Sequence, residues 1–170
     1  MGSAADLKYA KEIEVIAEKL GELIAKSGNI TVYGAEKDYD SLSTAAARGA
    51  KKAGGLTVGV TYGKGKDIWD KEGNTDVLIV TGLERGGGRE FVLVNTCDAV
   101  ISVSGGSGTL TELAIAYQLN IPMVAMEWSG LDADRPFSWG ANVSDPTGQR
   151  RRHGAGGHCF RFIDRPLESK

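Results

Sequence analysis

Residues 102–116 read SVSGGSGTLTELAIA, with Gly105, Gly106 and Gly108 and the hydroxyls of Ser107 and Thr109 set where an apolar run gives way to a helical one. Backbone N–H groups at a helix start lack intrahelical partners, and the helix dipole adds positive potential there. Glycines let main chain approach an anion closely, so a strand, a glycine loop and a helix start can cradle a phosphate. The same residues also suit a plain turn with a Ser or Thr cap. The stretch is neither a Walker loop, since no Gly-Lys-Ser/Thr follows, nor a strict GxGxxG. Glu112, three residues after Thr109, fits a capping box closed with Thr109. It equally fits a base or ribose ligand beside whatever the loop holds. Arg89, in the glycine-rich stretch ERGGGRE, is either a solvated surface cation or a planar guanidinium that reaches an anion or a leaving group.

Hydrophobic periodicity supplies the elements that must position these residues. Residues 4–27 repeat Tyr9, Ile13, Ile16, Leu20, Leu23 and Ile24 at helical steps, with Gly28 as the stop. Residues 40–55 form a second helix, capped by Asp40 or Ser41 and ended by Gly54-Gly55. A third covers 89–97, and a fourth covers 109–120 with Leu110, Leu113, Ala114 and Tyr117 on one face. Mostly apolar strands fall at 29–34, 56–60, 76–82, 99–104 and 121–126. Helices alternating with largely apolar strands predict a Rossmann-like three-layer α/β sandwich with a mainly parallel sheet. Ligands on such sheets bind beyond the carboxyl ends of the strands, so the loops after 33, 60, 82 and 104 are where chemistry belongs.

The 170 residues suffice for one domain, over residues 1–130, with 131–170 as an atypical tail, flexible or docked on the sheet. Ten of eleven lysines lie at or before Lys71, whereas six of nine arginines lie at or after Arg135. A formal charge of −2 argues against nucleic acid as a partner, and no apolar run is long enough for a membrane span. Without a signal-peptide pattern the expected location is the cytoplasm. Cys97 and Cys159 lie far apart and read as reduced thiols. His153, His158 and Cys159 lack a second pair of ligands, so no metal site is expected. Glycine, at 24 residues, is in excess, as several sharply turning loops require.

The segment GRE…CDAVISVSGGSGTLTE, residues 88–112, resembles the LOG (lonely guy) family and its relatives, long labelled "possible lysine decarboxylase", which include molybdenum cofactor carrier proteins. The family pattern places an arginine motif before a strand and then Pro-Gly-Gly-x-Gly-Thr-x-x-Glu. Here the Gly-Gly pair falls sixteen residues after Arg89 and Glu112 falls twenty-three after it. The resemblance extends over residues 2–128. It implies an oligomeric, homodimeric or larger, Rossmann-like protein that binds a small-molecule nucleotide. Carried over by position, Gly105, Gly106, Ser107, Gly108 and Thr109 would hold phosphate. Glu112 would serve the ribose and Arg89 the departing base, with Gly2, Ser3 and Gly34 lining the ligand. No cofactor is required. The bound group would be a nucleoside monophosphate, phosphate or a molybdopterin-like ligand.

Several positions depart from the hydrolytic members, which split the N-glycosidic bond of nucleoside 5′-monophosphates. Ser104 stands for proline and Glu90 for lysine, and the glycine run after the first strand is broken by Glu36, Asp38 and Asp40. These changes point to the carrier-like and uncharacterised branch, hence to binding rather than turnover. The alternatives are a nucleoside monophosphate phosphoribohydrolase or a scaffold without ligand. Lysine decarboxylation finds no support, because after Lys71 only Lys170 could form a Schiff base. The family's first, central strand is also missing, which would leave strand edges open inside the sheet for 158–163 or another chain to fill.

Overall fold

The computed structural model describes residues 1–2 and 11–126. In chain order these form α1 (Lys11–Lys26), β1 (Thr31–Gly34), α2 (Leu42–Lys52), β2 (Thr57–Thr61), β3 (Val77–Val80), α3 (Arg89–Asn95), β4 (Val100–Val103), α4 (Ser107–Gln118) and β5 (Met123–Met126). β1, β2 and β3 pair in that order, β4 pairs with β5, and every pairing is parallel. Parallel neighbours need crossover connections, which α2 supplies between β1 and β2 and α4 between β4 and β5.

Alternation along β4 divides the core. Ile101 and Val103 pack with Ile13, Ala17 and Leu20 of α1 and Leu42 and Ala45 of α2. Val100 packs on the opposite side with Val94 of α3 and Ala116 of α4. The molecule is therefore a Rossmann-like α/β sandwich, helices on both faces of parallel strands. α1 and α2 cross in backbone contact: a Cβ on Gly49 would overlap the carbonyl of Glu18, and one on Gly21 the carbonyl of Ala46. Arg48 staples the crossing, donating to Asp40 at 2.9 and 3.0 Å, Glu14 at 2.8 Å and Glu18 at 3.1 Å.

Ser41 is the N-cap of α2, accepting from the Thr44 N–H at 3.0 Å, as one of the two expected caps. α4 begins two residues earlier than its periodicity predicts. Its N-cap is Gly106, with no side-chain cap, so the Thr109–Glu112 capping box does not form. Of the expected apolar face of α4, Leu113 packs on the core with Val94, Val100 and Ala116, whereas Leu110, Ala114 and Tyr117 are exposed; the buried residues of the helix are Thr109, Glu112 and Ala116.

The two sheets do not join among the described residues, and the break falls where the central strand is expected to be absent. β1 and β3 each pair with β2 rather than with each other. Met1 and Gly2 lie along β4: the Met1 ammonium donates to the Ile101 carbonyl at 2.8 Å, and Val103 N–H donates to the Met1 carbonyl at 2.9 Å. Gly2 bridges Val103 in parallel sense. On the facing side, Thr31 and Ala35 donate to β2, so the N–H groups of Val32 and Gly34 point away from it. Residues 158–163 lie outside the described residues, as does the whole 131–170 tail.

Candidate functional site

Ser104 turns the chain out of β4 with φ of +56°, in the left-handed region. The proline of the resembling hydrolases, held near −65°, could not take this backbone. Gly105 follows at φ +143°, and a Cβ there would meet Thr109 Cβ at 2.5 Å and Cγ2 at 2.7 Å. Glycine at 105 thus allows the loop to fold down on the Thr109 side chain. Gly108 is different: a Cβ would meet nothing within 4 Å, so the surface before the first turn of α4 is clear. With neither a side-chain cap nor an acidic residue in that turn, the positive end of the α4 dipole is uncompensated from within the helix. A cavity of about 40 Å³, lined among others by Ser104, Gly105, Gly106, Thr109 and Met126, lies at the loop. It has room for a few waters only, so a larger group must rest on the loop rather than inside it.

Arg89 opens α3 and lies 5% exposed. Its Nη1 is 4.0 Å from Glu112 Oε1, and its Nη2 donates to Glu36 Oε1 at 3.4 Å. Among the described residues the buried Nε has no hydrogen-bond partner. Gly34, at the end of β1, leaves room for this guanidinium, which a Cβ would overlap. Glu112 is 7% exposed. Burial pushes its carboxyl above the ordinary carboxylate range, the positive Met1 amine and Arg89 oppose the shift, and Glu90 adds to it. The Met1 ammonium is displaced in the opposite sense, lowered mainly by burial. Together these residues form a desolvated pair of acid and base at the carboxyl end of the strands, one turn inside α4.

The sequence-predicted residues are only partly brought together. Arg89, Glu112 and Gly34 meet; Gly105 and Thr109 meet; Ser107 is exposed on the first turn of α4. Gly2 is enclosed by Leu42 Cβ at 2.7 Å and the Val103 carbonyl at 2.8 Å, a demand of packing. Ser3 lies outside the described residues. Glu90 does not lay its charge on Arg89; both its oxygens accept from Gly86 N–H at 3.1 Å, which ties down the glycine turn before α3.

The acids of the 36–40 loop also have separate tasks. Asp40 is held by Arg48, away from the site. Glu36 bridges Arg85 and Arg89. Arg85 lies 4.8 Å from the Tyr62 ring centre and 5.6 Å from that of Tyr39, and donates to the Tyr39 hydroxyl at 3.1 Å. This aromatic and charged cluster, after β1, β2 and β3, escaped sequence reasoning. Its one signal was position, in loops that follow strands. Among the described residues no group of three His, Cys, Asp or Glu side chains could hold a metal ion, and no helix is long and apolar enough to cross a membrane.

The chain was compared with known proteins. The family described as the SLOG cluster4 family matches residues 1–146. An uncharacterised protein of Archaeoglobus fulgidus is 40% identical over 101 residues, which are 59% of this chain and 62% of that protein; the chain thus matches less than two thirds of this curated relative. Solved structures are also similar, two of them as follows. The molybdenum cofactor binding protein of the phototrophic bacterium Rippkaea orientalis is 32% identical, with a TM-score of 0.64. The molybdenum cofactor carrier protein of Chlamydomonas reinhardtii is 35% identical, with a TM-score of 0.63. Each comparison covers 74% of this chain and 72% of the other.

Proposed function

Because this chain belongs to the SLOG cluster4 family, a fold that binds ligands, we propose that its ligand is a nucleotide or nucleotide-like cofactor held by its phosphate at residues 104–109. The observation that supports this reading is the buried Arg89, whose Nη1 lies 4.0 Å from Glu112 on the same helix whose N-terminus carries no side-chain cap. Backbone N–H groups of Ser107, Gly108 and Thr109 would donate to the phosphate, with the Ser107 hydroxyl beside them. Glu112 and Arg89 would face the sugar or its equivalent. A nucleoside monophosphate, free phosphate and a molybdopterin-like phosphate ester all present the required group. The likeness to a molybdenum cofactor binding protein and a carrier protein favours retention over turnover. The exposed Leu110, Ala114 and Tyr117 on α4 offer an apolar face for self-association.

A second reading, cleavage of an N-glycosidic bond, is favoured by Glu112 alone. A carboxyl whose affinity for protons is raised by burial is suited to acid–base work at an oxocarbenium-like transition state. One experiment separates the two. The chain is titrated with phosphate and with nucleoside 5′-monophosphates while melting temperature and free base are both followed. Binding predicts a rise in melting temperature with no base released. Release of base that Glu112→Gln abolishes would establish the hydrolase, and no rise with any phosphate would refute the site.

A further inference from the structure

We propose that Glu36 is a positioning residue of the site: it holds the Arg89 guanidinium toward the end of β1, beyond hydrogen-bond reach of Glu112, and so keeps the Arg89–Glu112 pair open. This deepens the phosphate reading of residues 104–109 and rests on it for what the open pair serves. Glu36 is one of the acids that break the glycine run after β1.

The first observation is a bond that does not form. Arg89 and Glu112 carry opposite charges and lie 5% and 7% exposed. A guanidinium and a carboxylate in such a place close to about 2.7–2.9 Å when nothing else claims them. Here Nη1 and Oε1 stand 4.0 Å apart. Among the described residues the Glu112 carboxyl makes no hydrogen bond, and one N–H of Arg89 is engaged, from Nη2 to Glu36 Oε1 at 3.4 Å.

The second observation is the anchorage of Glu36. Its other oxygen, Oε2, accepts from Arg85, so the carboxylate joins the residue before the glycine turn to the residue after it. Glu90 fixes the same turn by accepting from Gly86 N–H. The third is the room at Gly34, where the absent Cβ leaves the space that Nη1 occupies. Two carboxylates thus compete for one guanidinium, and the one anchored by Arg85 holds it.

A guanidinium bonded directly to Glu112 would favour the ionised carboxylate. Held off, it leaves burial as the leading influence, which raises the affinity of Glu112 for protons; the Met1 amine and Arg89 oppose this and Glu90 adds to it. Cys97 also lies within the field of Glu112.

The test begins without ligand. Side-chain carboxyls of the full chain are titrated by carbon-13 NMR, with the Glu112 signal assigned by its loss in Glu112→Gln. In Glu36→Gln the guanidinium is expected to close on Glu112, and the Glu112 midpoint to fall by about one pH unit, a tenfold loss of proton affinity. An unmoved midpoint overturns the proposal. Repulsion between the two carboxylates would shift the midpoint the same way, so the comparison is repeated in Arg89→Gln. Action through Arg89 predicts a shift there less than about half as large, and a larger one overturns the positioning role. Where Arg89→Gln does not fold, exchange of the Arg89 guanidinium protons takes its place: slower exchange in Glu36→Gln supports closure on Glu112, and equal or faster exchange overturns it. Inorganic phosphate and ribose 5-phosphate are then titrated calorimetrically. Loss of a negative charge by itself would strengthen both. Closure of the pair predicts instead that Glu36→Gln binds ribose 5-phosphate about tenfold more weakly and inorganic phosphate no more weakly. Ribose 5-phosphate bound equally or better by the variant overturns the role toward ligand. Failure of both phosphates to bind wild type overturns the phosphate reading, and the Glu112 midpoint then decides the positioning alone.

Discussion

Glu112 is the residue at which charge, burial and position converge. Its folded-state affinity for protons exceeds that of the unfolded chain, whose carboxyl titrates near 4.5. Between that value and its raised native value the native state binds more protons, so Glu112 makes stability fall as pH rises through the window. The Met1 amine, lowered from 8.0, acts in the opposite sense, because there the unfolded state holds the extra proton. Glu112→Gln cannot titrate. The difference between wild-type and variant unfolding free energies, measured in urea from pH 4.5 upward, is therefore expected to change steadily in favour of the variant. A difference independent of pH would mean that Glu112 titrates as an ordinary surface acid. If a phosphate binds at residues 104–109 as proposed, the same shift would make its affinity pH-dependent, because a protonated Glu112 would not oppose a dianion near the start of its helix.

Gly49 shows how tightly one element is set on another. A Cβ there would run into backbone, the carbonyl of Glu18, which no rotamer change can relieve. Gly49→Ala is therefore expected to cost about 2 kcal/mol or more in chemical denaturation, despite the better helix propensity of alanine. A loss under 0.5 kcal/mol would show that α1 and α2 separate easily. Most elements were legible because their signals are local. Ser41 caps α2, glycines stop α1 and α2, and apolar runs mark all five strands. The spacing of Arg89, Gly105 and Glu112 also identified residues that the fold brings to one end of the sheet. What stayed hidden depends on contacts across long stretches of chain. Thr109 and Glu112 have capping-box spacing, yet α4 starts at Ser107 because Gly106 takes the cap position. Helical periodicity groups Leu110, Leu113, Ala114 and Tyr117 on one face but cannot tell which of them look inward; Leu113 alone of the four does. Glu36 and Tyr39 share one loop, but Tyr62 and Arg85 come from two others, and nothing in the sequence near one loop announces the residues of the next.

At the scale of the whole molecule the defining feature is that β1–β2–β3 and β4–β5 form two separate sheets among the described residues, a break in the expected single sheet. The N–H groups of Val32 and Gly34 point away from β2 along its free edge, whereas those of Thr31 and Ala35 bond to β2. Amide exchange read residue by residue is expected to be at least about tenfold faster at Val32 and Gly34 than at the residues between and beside them. Equal protection along the strand would reveal a segment or a second chain already seated in the break. The Thr31 hydroxyl, on the same edge strand, is buried with no hydrogen-bond partner among the described residues. The Met1 amine is bound to Ile101 inside the fold rather than trailing in solvent. Acylating that amine would thus do two things at once: remove a positive charge that holds the Glu112 carboxyl down, and disturb the main-chain pairing of Met1 with β4.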